Sequence, residues 1–317
     1  MKRYERNEDV KVLFLGTPEM ARTVLSGIVE AGYDVIGVVT QPDKEAGRGH
    51  RLVASPVKQY AMERGIPVYQ PSKIREDYSF AEYLHIDVIA CMAYGQIVPE
   101  GFLSLAKVGA INVHGSLLPE YRGAAPIQRA IMDGKKVTGV SLMEMVAAMD
   151  AGDVYDIREC PVEDDDDYTS LGRKLAALGA EMIAKNLLAY ANRELPGKAQ
   201  DEEKVTIAKK IRKAEEQVSL DLAAKAARDA FRGLSEEPGG YLLLDGLKLK
   251  VFRSHLSDGP EKGAKGDYFI GKKTMLVRFS DGYLALDEVQ LEGKKRMDIA
   301  SFLNGMRNRL APEGKVD

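Results

Sequence analysis

The stretch VKVLFLGTPEMARTVLSGIVEAGYDVIGVV, residues 10–39, predicts a strand, a helix and a second strand in that order. The runs Val10–Leu15 and Asp34–Val39 are rich in Val, Ile and Leu, which is typical of strands buried on both faces. Similar runs recur later in the chain, at Ile86–Ala90, Gly109–Val113 and Val137–Met143. Because helical stretches separate these strands, we expect a Rossmann-like α/β domain whose sheet is mostly parallel and is covered on both faces.

The C-terminal part of the chain follows a different pattern. A long helix predicted over Tyr168–Ala191 ends shortly before a Pro-Gly pair, and the charged stretch Lys198–Lys213 that follows is typical of a linker. After a helix predicted at Leu220–Phe231, short alternating strands with Asp-Gly turns indicate a small OB-like antiparallel β-barrel. We therefore expect a first domain at residues 1–195, a linker at 196–215 and a barrel domain at 216–317.

Length and composition limit the class of protein. A chain of 317 residues suits two domains, and 45% hydrophobic with 29% charged residues excludes wholesale disorder. No apolar run approaches the ~18 residues of a membrane span, and the polar start is unlike a secretory signal. We therefore expect a cytoplasmic protein with no membrane partner. The two cysteines lack metal-ligand spacing, so no metal is expected.

The charge of the chain is uneven. The net charge is −3, but residues 1–195 hold 22 Lys+Arg against 28 Asp+Glu, whereas residues 196–317 hold 23 against 20. An acidic first part joined to a basic second part is a mild indication of a polyanionic partner.

The densest group of chemically capable residues lies in NVHGSLLPEYRGAAPI, at Asn112–Ile127. Asn112 and His114 alternate at the end of a predicted strand, so their side chains are expected on one side of the sheet. Asp150 follows another apolar strand in a Gly-containing loop, where its carboxylate can orient His114. Such a set can stabilise an oxyanion, move a proton and fix a tautomer. No Ser or Cys is placed to act as nucleophile, so we expect the attacking group to belong to a substrate.

Further motifs belong with this central one. They are the GTPEMA turn at residues 16–21, TQPD–GRG at Thr40–Gly49, AYGQIVP at Ala93–Pro99, SLLPEYRGAAPIQRAI at Ser116–Ile131, AMDAGD at Ala148–Asp153 and GKKRM at Gly293–Met297. GTPEMA lacks the GxGxxG spacing of a dinucleotide site. Taken together, the motifs resemble those of the folate-dependent formyltransferase family, and the resemblance extends from about Val10 to Phe302.

The resemblance implies a role for individual residues. The family's catalytic Asn, His and Asp fall on Asn112, His114 and Asp150. The formyl donor would be 10-formyltetrahydrofolate, used as a co-substrate. The positions that the resemblance places around the folate are Ser116, Leu117, Leu118 and Pro119, together with Met92, Tyr94, Gly95, Ile97 and Val98. For Leu117, Ile97 and Val98, ordinary core packing is an equally good interpretation.

The resemblance also implies the formyl acceptor, which would be the α-amino group of methionine esterified to initiator tRNA. A basic loop and a basic linker are expected to contact the tRNA, through Lys44, Arg48 and Arg51 and through Lys209, Lys210 and Arg212. The alternatives are a formyltransferase for an amino sugar nucleotide or another small amine, and a non-catalytic RNA-binding relative. Glu120-Tyr121 and Ala227–Leu244 depart from the family's pattern. We expect a monomer.

Overall fold

The computed structural model of the chain describes residues 3–46 and 51–317. The chain divides into two compact units. The first contains Met1–Gly123, Val137–Pro161 and Gly172–Ile207, and the second contains Ala124–Lys136, Val162–Leu171 and Ala208–Asp317. None of the helices in the described ranges is long and apolar enough to cross a membrane.

The described part of the chain contains strands and helices throughout. In chain order the strands are β1 (Lys11–Gly16), β2 (Asp34–Val39), β3 (Lys44–Ala46), β4 (Arg51–Val53), β5 (Val68–Tyr69), β6 (Val88–Met92), β7 (Gly109–His114), β8 (Arg122–Gly123), β9 (Val137–Glu144), β10 (Val154–Pro161), β11 (Ile207–Ala208), β12 (Tyr241–Leu244), β13 (Leu247–Ser257), β14 (Asp267–Ile270), β15 (Met275–Arg278), β16 (Tyr283–Leu291), β17 (Met297–Asp298) and β18 (Glu313–Lys315). The α-helices are α1 (Glu19–Glu30), α2 (Pro56–Glu63), α3 (Glu100–Leu103), α4 (Pro126–Met132), α5 (Tyr168–Ala191), α6 (Ala224–Leu234) and α7 (Ile299–Met306).

The first unit is built on a seven-stranded sheet in the order β10-β9-β7-β6-β1-β2-β5. All neighbours from β7 to β5 are parallel, which confirms the predicted mostly parallel sheet. The strand predicted at Val137–Met143 is β9, which runs antiparallel to β7 and pairs with a further antiparallel strand, β10. A hydrophobic run indicates that a strand is buried, but its direction depends on the long-range pairing.

Strand register brings three carboxyl ends to the same edge of this sheet. Gly16 of β1 lies opposite Met92 of β6, and Cys91 of β6 lies opposite Asn112 of β7. The face of β7 that carries the Val113 side chain is covered by α5. The two elements pack so closely that a Cβ added at Gly179 would lie 2.6 Å from Cγ1 of Val113. Val113 alternates with Asn112 and His114, so this contact with α5 leaves the face that carries those two side chains uncovered by the helix.

The second unit contains the predicted antiparallel barrel. Its strands follow the order β12-β13-β16-β15-β14-β18, and β17 pairs with β16. The two ends of this order meet, because Leu243 and Asp317 exchange backbone hydrogen bonds of 2.6 and 2.9 Å. Helix α6 packs against the hydrophobic core of the barrel through Phe231 and Leu234, which are both essentially inaccessible to solvent.

Candidate active site

His114 ends strand β7, and its ring is oriented by a single backbone carbonyl. The residue is 5% exposed, and Nε2 lies 2.9 Å from the carbonyl oxygen of Tyr121. A carbonyl oxygen only accepts hydrogen bonds, so Nε2 carries the proton and donates it. In the neutral ring, Nδ1 is therefore the nitrogen that is available for proton exchange.

Asp150 approaches His114 from the loop between β9 and β10. Its Oδ2 lies 3.7 Å from Nδ1 of His114 and accepts a 2.8 Å hydrogen bond from the backbone N–H of Gly123. The backbone of Asp150 is left-handed, with φ of 52°, which is uncommon for a residue other than glycine. The structure thus brings a carboxylate next to the ring nitrogen that can exchange a proton.

Asn112 lies two residues before His114 on the same face of β7. It is half-buried, and its side-chain amide forms no hydrogen bond to any residue in the described ranges. An amide that no other protein group occupies is suited to donate to a developing negative charge. The three residues together provide one neutral donor, one ionisable ring and one carboxylate at a strand end.

The segment Ser116–Pro119 directly after His114 is held in place by Ser141 of β9. Ser141 lies opposite His114, donates to the carbonyl oxygen of Ser116 at 2.7 Å and accepts from the N–H of Leu118 at 3.0 Å. Ser116 itself is fully buried, and its hydroxyl donates to the carbonyl oxygen of Glu120. Leu118 is buried against Met143 and Val154, whereas Leu117 and Pro119 are half-buried. Only backbone groups and the half-buried side chains of this segment are thus accessible to a ligand.

The segment after β6 turns sharply at the same edge of the sheet. Gly95 is left-handed, with φ of 90°, and Met92 and Tyr94 are each 3% exposed. The Tyr94 hydroxyl is buried without a hydrogen-bond partner in the described part of the chain, and burial raises the pKa of this phenol well above its ordinary value. Ile97 is 69% exposed, so the core-packing interpretation is wrong for it, while Val98 packs against the core.

Comparison with known proteins identifies the family of this chain. Residues 10–187 match the formyl transferase family and residues 210–307 match the formyl transferase C-terminal domain. The chain is 42% identical over 308 residues to the methionyl-tRNA formyltransferase of Lactobacillus delbrueckii subsp. bulgaricus, covering 96% of this chain and 98% of that protein. The chain belongs to the methionyl-tRNA formyltransferase family. It is also 40% identical to the Listeria innocua methionyl-tRNA formyltransferase, over 95% of this chain and 97% of that protein.

Solved structures share the fold at much lower identity. An N-formyltransferase from Helicobacter canadensis, in complex with folinic acid and dTDP-3-aminofucose, aligns with a TM-score of 0.66 at 16% identity over 89% of this chain and 99% of that one. HypX from Aquifex aeolicus, in complex with tetrahydrofolic acid, aligns with a TM-score of 0.67 at 16% identity over 94% of this chain and 48% of that one. Together with the family matches, these structures confirm the predicted fold class.

In this member of the formyltransferase family, a polar network that the sequence did not predict supports the loop after β2. Thr17 and Gln41 both donate to the carbonyl oxygen of Tyr94, at 2.8 and 3.2 Å, and so join the ends of three strands. Lys58 then bonds Asp43 at 2.7 Å, and this hydrogen bond holds the pKa of the Asp43 carboxyl below its usual range. The TQPD motif in the sequence pointed to Asp43. Its partner Lys58 lies on α2 and belongs to no motif, so the sequence alone could not identify the pair.

The predicted basic loop follows this network directly. Its strands β3 and β4 form an antiparallel hairpin in which Lys44 pairs with Val53 and Ala46 pairs with Arg51. Lys44 is exposed. Arg48, the third residue of the prediction, lies outside the described residues. The backbone positions of Lys44 and Arg51 are thus set by the pairing of β3 with β4.

The predicted linker cations are presented by Arg129 of α4. Its guanidinium donates to the carbonyl oxygens of Lys209 at 3.0 Å and Lys210 at 3.4 Å, and it forms a bidentate pair with Glu215. Glu215 also bonds Arg212. Lys209, Lys210 and Arg212 are exposed. A half-buried ion pair therefore holds the backbone from which three exposed cations project.

The ion pair between Arg129 and Glu215 predicts a pH dependence. The hydrogen bonds from Arg129 are the main cause that lowers the pKa of Glu215 from 4.5 to about 2. Because this pKa is depressed in the folded state, the stabilisation is present above the unfolded pKa and is lost as the pH falls towards 2. We expect Glu215→Gln to lower the free energy of unfolding by about 1 kcal/mol at pH 7, and by much less at pH 3.

Denaturant unfolding of both proteins across pH 2–7 measures this difference. Glu216→Gln is the matched control, because Glu216 forms no ion pair with a residue in the described ranges, and it should lower the free energy of unfolding at pH 7 less than Glu215→Gln does. An equal loss in Glu215→Gln at pH 7 and pH 3 would contradict the prediction.

Proposed function

We propose that this chain transfers the formyl group of 10-formyltetrahydrofolate to the α-amino group of methionine on initiator tRNA. The observation that carries the proposal is the arrangement of Asn112, His114 and Asp150 at the end of β7, in a chain whose relatives match it over both units. The chain is an enzyme, a one-carbon formyl transferase. We propose further that it acts in the cytoplasm and as a monomer.

The three residues divide the chemistry between them. When the neutral amine attacks the formyl carbon, the formyl oxygen becomes an oxyanion, and the unoccupied amide of Asn112 donates to it. His114 donates from Nδ1 when that nitrogen is protonated, because Nε2 is already engaged by Tyr121. Asp150 lies 3.7 Å from Nδ1, so its carboxylate offsets the charge of the imidazolium.

Proton transfer completes the reaction. The attacking nitrogen becomes an ammonium and must lose a proton as its bond to the formyl carbon forms. Asp150 accepts that proton and passes it, through water, to the folate nitrogen whose bond to the formyl carbon breaks. The atoms and charges balance without an external acid, because the proton released by one nitrogen is taken up by the other.

The residues around the strand ends fit a folate co-substrate. A pterin combines a flat apolar surface with a polar edge, and ligand sites of this type combine apolar walls with a few fixed polar groups. Ile97 in the segment after β6 and Met149 next to Asp150 are exposed apolar side chains, 69% and 60% accessible. The buried Tyr94 hydroxyl has no hydrogen-bond partner among the residues that the structure describes. We propose that backbone groups of Met92–Val98 and Ser116–Pro119 bind the polar edge of the pterin.

The tRNA is proposed to bind through the basic residues. Lys44 and Arg51 stand at the two ends of the hairpin, and Arg48 is the basic residue between its strands in the sequence. Lys209, Lys210 and Arg212 are exposed cations on a segment that Arg129 holds in place. Phosphate contacts of this kind position a nucleic acid through charge and release counterions.

The proposed function is tested by the choice of acceptor. Purified protein with 10-formyltetrahydrofolate should formylate methionyl initiator tRNA, measured as acid-precipitable formylmethionine, and should not formylate dTDP-3-aminofucose at a comparable rate. A chain that formylates the amino sugar nucleotide and leaves the charged tRNA unmodified would contradict the proposal. Tetrahydrofolate binding with no turnover of either acceptor would favour a non-catalytic relative.

The catalytic set makes a second prediction. Asn112→Ala removes one oxyanion donor and should lower kcat by about 10²–10³-fold, while tetrahydrofolate binding remains measurable. His114→Ala should lower kcat to a similar extent, and the double variant should lose far less than the product of both effects. Asn186→Ala is the matched control, because Asn186 bonds Asp156 from α5 and should keep normal turnover. Near-normal kcat in His114→Ala would contradict the mechanism.

The linker cations make a third prediction. The double variant Lys209→Ala/Lys210→Ala should lower kcat/KM for charged tRNA several-fold and make it less sensitive to salt, because two phosphate contacts are lost. The KM for the folate should stay the same. Lys272→Ala/Lys273→Ala, a pair of exposed lysines between β14 and β15, serves as the control. If both double variants show the same kcat/KM, the linker cations do not contact the tRNA.

A further inference from the structure

Gln200 lies in the segment that the sequence predicts as a linker, yet its side chain contacts the loop that carries Asp150. Its Nε2 donates to the carbonyl oxygens of Asp150 and Gly152, both at 2.8 Å. Its Oε1 accepts from Nε of Arg122 at 2.9 Å. Because two partners are carbonyl oxygens and the third is a guanidinium, only one orientation of the amide satisfies all three.

The loop that Gln200 contacts is tied to the sheet at its two ends, where the N–H of Met145 donates to Ala110 at 2.8 Å and the carbonyl oxygen of Asp153 accepts from Glu144 at 2.8 Å. Residues 145–153 contain no helix or strand, and residues 146–149 are all exposed. Asp150 then adopts its left-handed φ of 52°. A backbone conformation of this kind is strained for a residue other than glycine and persists only where the surroundings hold it.

Neighbouring groups complete the hold on Asp150. Arg122 is 7% exposed as a residue and pairs with Glu202 at 2.8 and 3.3 Å, which fixes the guanidinium that faces Gln200. The next residue, Gly123, donates its N–H to Oδ2 of Asp150 at 2.8 Å. Gln200 therefore holds the backbone of Asp150, while Gly123 holds its carboxylate.

We propose that Gln200 is a positioning residue that acts through Asp150. The inference rests on the proposed function, in which the Asp150 carboxylate faces His114. The 3.7 Å separation from Nδ1 is too long for a direct hydrogen bond, so the imidazole does not fix the carboxylate. Its placement depends on Gln200 and on the backbone of Gly123. A displacement of about 1 Å in such a group can lower turnover about 10²-fold.

Two substitutions at Gln200 separate its contacts. Gln200→Ala removes all three hydrogen bonds, whereas Gln200→Glu keeps an acceptor for Arg122 and places a carboxylate oxygen against the two loop carbonyls. Both variants should lower kcat about 10- to 100-fold, with KM for folate and for charged tRNA changed less than two-fold. Gln290→Ala is the matched control, because Gln290 donates one similar hydrogen bond to the carbonyl oxygen of Lys294. If Gln200→Glu keeps wild-type kcat, the contact with Arg122 is the important one and the proposal is overturned.

A double variant tests whether the effect passes through Asp150. In an Asp150→Ala background, Gln200→Ala should lower the residual kcat by less than two-fold, because there is no carboxylate left to place. A merely structural role would lower kcat equally in both backgrounds, and that result would overturn the proposal.

Hydrogen exchange gives a readout that does not require activity. The amides of Gly123 and of residues 150–153 should exchange faster in Gln200→Ala, while those of β6 and β7 keep their protection. Unchanged exchange in the loop would overturn the proposal. If the wild-type protein fails to formylate methionyl-tRNA while Gln200→Ala still shows this faster exchange, the proposed function is overturned and the hold of Gln200 on the loop is not.

Discussion

The hydrogen bond from Nε2 of His114 to the carbonyl oxygen of Tyr121 is the interaction on which the rest of the site depends. It selects the tautomer, and with it the nitrogen that faces Asp150. The carbonyl has its direction because Tyr121 adopts a left-handed φ of 60° and donates its own N–H to Oγ1 of Thr206. A residue 85 positions further along the chain thus helps to decide which ring nitrogen of His114 can move a proton.

The local elements of this chain were predictable because short-range patterns determine them. Helix α5 spans Tyr168–Ala191 and β2 spans Asp34–Val39, as the sequence predicts, since periodicity and turn residues mark both ends. Helix α6 is displaced from the predicted Leu220–Phe231 to Ala224–Leu234. Strand β10 was not predicted, because its alternation of half-buried and exposed residues gives no continuous apolar run.

The residues of the candidate site also fall into those that the sequence could identify and those that it could not. Asn112 and His114 could be found from their spacing at a strand end, and Asp150 from its place after another apolar strand. Ser141, Lys58 and Gln200 could not, because each acts through a backbone carbonyl or a partner far away in the sequence. Sequence patterns identify groups that face a ligand more readily than groups that hold the protein's own backbone.

The packing of α5 on β7 has a consequence for how this enzyme tolerates mutation. Gly179 is the point of contact with Val113, and a methyl group there would meet Cγ1 of Val113 at 2.6 Å. The neighbours of Val113 on the strand are Asn112 and His114, so pressure from the helix on one face of β7 moves the two proposed catalytic side chains on the other face. In a deep mutational scan selected for turnover, Gly179 would therefore group with the proposed active-site positions, although it lies on α5 behind the sheet. Homologous enzymes could vary the exposed face of α5 freely, but the face that packs on Val113 at Gly179 would remain constrained.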